Sequence, residues 1–223
     1  MTRSYPQRRF ELPADATEVI LVRHGASEPA VPGVPFAVRD GHADPALADP
    51  RGVEPARRAA ARLAGEEIHA LFTTGLTRTE QTAAPIADAT GLAAQAEQRL
   101  REVHLGEWEG GEFRIRMQSG DPAALRVLTE QRWDVIPGAE PTADFAARVK
   151  AGFEEVVRAT GAGRRAVAVV HGGVIGELCR EATDSRPFAF VHAENCSISR
   201  VVVFGTGHWL LRVFNETTHL SAA

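Results

Sequence analysis

The sequence predicts an α/β fold: a three-layer sandwich with a mostly parallel central sheet, helices on both faces and an antiparallel edge hairpin. Three observations predict it. Short apolar runs at Val19–Val22, Ile68–Phe72 and Ala166–Val170 have the character of strands buried on both faces of a parallel sheet. Segments with helical signals alternate with them. Near the end, two strand-like runs, Ile198–Phe204 and Trp209–Phe214, are separated only by Gly205-Thr206-Gly207-His208, a spacing that suits a hairpin.

Taken in order, Val19–Val22 forms the first strand and ends at Arg23-His24-Gly25. A loop follows in which Pro29, Pro32, Pro35 and Pro45 interrupt regular structure. A helix enters through Pro55 and runs to Leu63. Ile68–Phe72 leads into Thr77-Arg78-Thr79-Glu80, which has capping-box form with Thr77 as N-cap. That helix runs toward Thr90, stops at Gly91 and should kink or loosen at Pro85. A weaker strand is placed at Leu92–Ala96, and Leu100–Gly111 is loop-like. Asp121-Pro122 opens a helix through Glu130. Phe145, Val149, Phe153, Val156 and Val157 follow helical spacing up to Gly161. Ala166–Val170 ends at His171-Gly172-Gly173, and a helix begins near Val174.

The chain has 223 residues, 44% of them hydrophobic, with a formal net charge of −4. It is long enough to bury a core without disulfides or a structural metal. We expect a flexible tail over 1–17 and a single domain over 18–223. The acidic balance, without a basic run, argues against nucleic acid and acidic membrane surfaces as partners. Nothing resembles a signal peptide or a membrane span, so the expected location is cytoplasmic. Cys179 and Cys196 are read as buried thiols. His42, His69, His192, His208 and His219 have no metal-ligand spacing, and no metal or other cofactor is expected. Trp108 and Trp133 are assigned to packing, His104 to a surface or structural use, and the pairs Arg57-Arg58 and Arg164-Arg165 to solvated faces.

Three polar clusters, Arg23-His24, Thr77-Arg78 and His171-Gly172, fall directly after expected strands. In an open α/β sheet, ligands bind beyond the carboxyl ends of the strands. Two arginines, two histidines and two helix N-termini meeting there would make an anion site, since guanidinium forks and free backbone N–H groups both suit phosphate oxygens.

Four segments carry a family resemblance: Leu21-Val22-Arg23-His24-Gly25, Leu76 to Ala83, Leu100 to Gly110, and Val169-Val170-His171-Gly172-Gly173. In order and spacing they resemble the histidine phosphatase superfamily, also called phosphoglycerate-mutase-like, on its phosphatase branch. The resemblance implies His24 as the nucleophile that forms a phosphohistidine. It implies Arg23, Arg78 and His171 as the phosphate clamp and Glu102 as the proton donor. The chemistry explains the residue types: an attacking imidazole nitrogen must be unprotonated, spread phosphoryl charge needs cations, and an alkoxide leaving group needs an acid. Ser27 retains a hydroxyl able to touch phosphate where many members have Thr. Gly172 offers backbone N–H groups. Ala30 stands where many members have Asn, so one usual contact is absent. Gly138-Ala139-Glu140-Pro141 also departs from the common Gly-Glu-Ser.

The implied activity is hydrolysis of a small phosphorylated metabolite. The alternatives are mutase-type phosphoryl transfer and a catalytically idle phosphate-binding module. The mutase branch usually has a Glu-Arg-Tyr-Tyr-Gly type segment; here it reads Glu102-Val103-His104-Leu105-Gly106. The sequence leaves the oligomeric state open, with a homodimer compatible. Glu107 and Glu109, the rival acids, are assigned to exposed loop.

Overall fold

In the computed structural model, residues 5–221 are described. The elements in chain order are β1 (Thr17–Arg23), β2 (Val38–Arg39), β3 (His42–Ala43), α1 (Val53–Leu63), β4 (Ala70–Thr73), α2 (Thr77–Thr90), β5 (Ala94–Ala96), α3 (Glu112–Ser119), α4 (Pro122–Glu130), α5 (Thr142–Thr160), β6 (Arg165–Val170), α6 (Gly172–Thr183), β7 (Ile198–Val203) and β8 (Trp209–Glu216). The main sheet has the order β5-β4-β6-β1-β7-β8. β5, β4, β6 and β1 are parallel, and β7 pairs antiparallel with both β1 and β8. The fold class is the one expected: a mixed, mostly parallel sheet with an antiparallel edge.

Alternation along the strands divides the core in two. Val19, Leu21, Ala166, Ala168 and Val170 face one side, where α5 and α6 cover them with Phe145, Val149, Phe153 and Leu178. Ile20, Val22, Val167 and Val169 face the other, against Ala59, Leu63, Ala83 and Ile86 of α1 and α2. Phe153 is fully buried, and truncating such a ring to Ala costs about 3–5 kcal/mol. Trp108, Val127 and Ile136 build a smaller cluster with Phe113, Met117 and Trp133. Trp108 and Trp133 thus pack, as expected, and also face a cavity.

Several local expectations are corrected. β1 opens at Thr17, inside the stretch read as tail: Ala16 and Thr17 are buried, and Thr17 Oγ1 donates to Gly161 O at 2.9 Å. Met1–Ser4 lie outside the described residues. The capping box at Thr77 does not form. Leu76 is the N-cap of α2, and Asp44 from the distant loop accepts from Thr77 N–H at 2.6 Å and from its hydroxyl at 2.8 Å. Asp44 thereby takes the Thr77 N–H that Glu80 would accept in a capping box and draws off the Thr77 hydroxyl, while Glu80 N–H donates to Leu76 O at 3.1 Å. α2 continues unbroken through Pro85. The proline-rich loop holds the small β2–β3 hairpin, turned by Asp40 (φ 49°) and Gly41 (φ 85°), the left-handed pair that a tight hairpin requires. Arg165 is half-buried and paired with the buried Glu18 at 2.9 Å, so it is not a solvated residue.

Cys179 and Cys196 are buried and free, and burial pushes both thiols up to about 12. Among the described residues, no helix is long and apolar enough to cross a membrane.

Candidate active site

β4, β6 and β1 are neighbours in the sheet and parallel, so the segments after them emerge side by side. His24 follows β1, His171 follows β6, and Arg78 stands in the first turn of α2 after β4. The backbone at His24 is held from three directions. Its N–H donates to Val170 O at 2.9 Å, Asn195 Nδ2 donates to its carbonyl at 2.7 Å, and Gly25 N–H donates to Thr82 Oγ1 at 2.9 Å. A Cβ on Gly25 would collide with the Gly52 carbonyl, so glycine there is a close-approach requirement.

His24 is 7% exposed. Its Nδ1 lies 2.8 Å from Gly25 O. A carbonyl only accepts, so Nδ1 carries the proton and Nε2 keeps the lone pair. Nε2 has no hydrogen-bond partner among the described residues. Burial, then the charges of Arg78 and Arg23, hold the imidazole well below its usual 6.5. The ring is therefore a neutral base with one free nitrogen.

His171 is fully buried, its ring 5.1 Å from that of His24 and edge-on to it. Its protonation follows from its partners. Arg78 Nη2 donates to Nδ1 at 3.2 Å, so the proton sits on Nε2, which donates to Thr74 Oγ1 at 3.0 Å. Thr74 passes on a bond to Thr79 Oγ1 at 3.2 Å, and Thr79 donates to Leu76 O at 2.7 Å. This chain holds His171 as the Nε2–H tautomer. Burial, then Arg78 and His24, hold it well below 6.5 as well.

Arg78 also donates to Ala43 O at 2.7 Å from Nη1, which fixes the guanidinium against β3. Arg23 donates from Nη1 to Ala193 O at 2.5 Å, while its Nε is buried without a partner. That nitrogen lies 3.4 Å from where a Cβ on Gly172 would stand. Glu102 comes in on a loop: Oε2 accepts from Gly173 N–H at 3.0 Å and Oε1 from Val103 N–H at 3.1 Å. A Cβ on Gly173 would strike this carboxylate. Arg148 braces the same loop, donating to Glu102 O at 2.9 Å and Arg101 O at 2.7 Å while Nε binds Glu140 at 2.6 Å.

Arg23, His24, Arg78 and Glu102 share the wall of a cavity of about 330 Å³ with Phe36, Leu105, Trp108, Phe113 and Trp133. The five residues assigned to chemistry thus come together, with His171 behind the others. Gly172 lines an adjoining cavity that also contains Arg23 and Glu102. Ser27 faces a further one, and its hydroxyl is taken by Arg114 Nη2 at 3.0 Å.

Glu109 is not the exposed loop residue expected. Its two oxygens accept from Ala43 N–H at 2.7 Å and Leu105 N–H at 2.8 Å, tying the hairpin to the loop that carries Glu102. His42 lines the cavity with Nε2 buried and unpartnered, its ring 5.6 Å from that of the half-buried His104. Sequence reasoning missed Arg114, the Arg148–Glu140 brace and Asp44. Of these, only Glu140 carried a signal, as a departure from the common segment. Among the described residues, no three His, Cys, Asp or Glu side chains group as metal ligands.

With this geometry in place, the comparisons are specific. A family model described as histidine phosphatase superfamily (branch 1) matches residues 19–217. The chain is 31% identical over 211 residues to a probable phosphoglycerate mutase of Photorhabdus laumondii, covering 91% of this chain and 94% of that one. It is 31% identical over 212 residues to phosphoglycerate mutase-like protein 4 of Arabidopsis thaliana, covering 92% and 88%. Among solved structures, a mycobacterial glucosyl-3-phosphoglycerate phosphatase aligns with a TM-score of 0.71 at 26% identity, covering 90% of this chain and 99% of that one.

Proposed function

The chain belongs to the histidine phosphatase superfamily (branch 1), and from that premise we propose that it hydrolyses small phosphate monoesters through a phosphohistidine on His24. The observation that carries this reading is the unpartnered Nε2 of a neutral His24 at the wall of a cavity shared with three arginines.

A phosphate monoester enters with its charge against Arg23 and Arg78. Nε2 of His24 attacks phosphorus in line with the leaving oxygen, forming the N–P bond as the P–O bond breaks. Glu102, protonated at this stage, gives its proton to the leaving oxygen, so an alcohol departs. The resulting carboxylate takes a proton from water, whose oxygen attacks phosphorus and breaks the N–P bond. Inorganic phosphate leaves, and His24 and Glu102 return to their starting states. Arg23 and Arg78 stabilise the phosphoryl charge, His171 holds the Arg78 fork in place from behind, and Ser27 and the N–H groups near Gly172 are further contacts. None of these steps calls for a metal ion.

Hydrolysis is preferred to transfer back onto the substrate because of Glu102-Val103-His104-Leu105-Gly106, which lacks the segment usual in mutases. The relatives' names include mutases as well as a phosphatase, so the test must separate the two outcomes. The purified chain should release inorganic phosphate from a panel of esters and hold acid-labile phosphate on His24 during turnover. Isomerised ester without phosphate release would make it a mutase; neither product would make it an idle binding module.

A further inference from the structure

Arg114 belongs to none of the sequence motifs, yet its surroundings single it out. Other arginines withdrawn from solvent pair with carboxylates: Arg101 with Asp40, Arg148 with Glu140, Arg165 with Glu18 and Arg200 with Glu66. Among the described residues, Arg23, Arg78 and Arg114 are withdrawn without such a partner, and all three line one cavity beside His24. Arg114 donates to Glu28 O at 2.7 Å and to Ser27 Oγ at 3.0 Å. These neutral acceptors take one hydrogen from each Nη, and with the Phe36 ring 5.5 Å from Cζ they leave the charge without a carboxylate partner. Glu102 and Glu109, the carboxylates on the same cavity wall, spend their oxygens on backbone N–H groups. A half-buried cation held next to a second cation is unfavourable unless an anion completes the site.

The packing around α3 explains how Arg114 arrives there. Gly111, at the start of the helix, has φ 108°, and a Cβ on it would stand 3.1 Å from Ala30 Cβ and 2.9 Å from the Phe36 ring. The small side chains at 30 and 111 let α3 approach the Ser27 loop, and a larger residue at either position would push it away. Position 30 thus lacks a polar side chain for phosphate, and the space released admits the helix that bears Arg114.

We propose that Arg114 is a third cationic ligand of the transferring phosphoryl group. This rests on the phosphoryl-transfer reading of the same cavity. The transferring group spreads charge over three oxygens, and Arg23, Arg78 and Arg114 supply three forks to meet them. On binding, Arg114 exchanges one neutral acceptor for a phosphate oxygen, which frees the Ser27 hydroxyl to turn toward the ligand.

The test compares wild type with Arg114→Gln and Arg114→Lys in two measurements: calorimetric binding of inorganic phosphate, and hydrolysis of nitrophenyl phosphate and of phosphoglycerate. Gln should weaken phosphate binding roughly tenfold or more and lower kcat/KM roughly 100-fold on both esters. Lys should recover part of the binding, having the charge without the fork. Phosphate binding and kcat/KM within about twofold of wild type in Arg114→Gln would overturn the assignment. A loss confined to phosphoglycerate would also overturn it, because Arg114 would then read the carboxylate. Thermal melting checks folding, and if Gln does not fold, Lys decides by its own loss of kcat/KM on both esters. A wild type that releases phosphate from no ester of the panel, but whose phosphate binding collapses in Arg114→Gln, supports Arg114 as a phosphate ligand and overturns the hydrolase reading alone.

Discussion

Arg78 donates to Nδ1 of His171 across 3.2 Å, and this bond places the imidazole proton on the opposite nitrogen, toward Thr74. The consequence reaches stability. His171 and His24 are both held well below 6.5 by burial and neighbouring cations. The unfolded chain, with ordinary histidines, binds protons as pH drops through 6.5 while the folded chain does not. Stability is therefore full above 6.5 and is lost as pH falls below it toward the lowered folded values. Melting temperature should drop by several degrees between about pH 7.5 and about pH 5.5. His171→Asn should flatten the drop. An unchanged pH profile in that variant would remove His171 from the linkage.

His24→Ala should lower turnover on the order of 10⁴-fold or more and abolish covalent labelling by a phosphorylated substrate. The expectation rests on Nε2 of His24 being the unprotonated nitrogen at the cavity wall. Acid-labile phosphate trapped on the variant at the wild-type level would take the nucleophile role away from His24.

Glu102→Gln should act unevenly. An alkyl phosphate has a basic leaving oxygen that needs a proton, so its phosphorylation step should slow roughly 10²–10⁴-fold. A nitrophenyl phosphate leaves as a stable anion and should slow by less than about tenfold. Single-turnover kinetics isolates this step from dephosphorylation, which Glu102 also assists in the proposed cycle. Equal losses on both esters would assign Glu102 to structure or phosphate binding, a role its bonds to Gly173 and Val103 could serve.

Activity should survive chelators without loss beyond assay error. The positive charge in the cavity comes from arginines, which already supply what a Lewis acid would. Complete inactivation by chelator, reversed by adding a divalent cation, would contradict this.

Much of this protein could be read directly from its sequence, because the determining features are local. Apolar runs place the buried strands, and the segment after each run lands at the ligand-binding edge of a parallel sheet; Arg23, His24 and His171 follow from that rule directly, and Arg78 follows in the first turn of the helix after β4. Gly91 and Gly161 end their helices as expected. α3 was not legible: none of its side chains is fully buried, so it writes no apolar stripe. The capping box at Thr77 does not form, because Asp44, 33 positions away, takes the Thr77 N–H and hydroxyl.

What tertiary structure alone decided is the second set of polar partners. Arg148 braces the Glu102 loop from 46 positions away, and Arg114 meets Ser27 across 87. Local periodicity carries no signal for such pairs. An arginine on a helix reads as solvated until the chain folds and another segment removes its water, and only then does its partner, or the lack of one, become a physical fact. The sequence by itself determined which residue types reach the strand ends. The fold determined which charges there stay unpaired, because pairing depends on distances that exist only after packing.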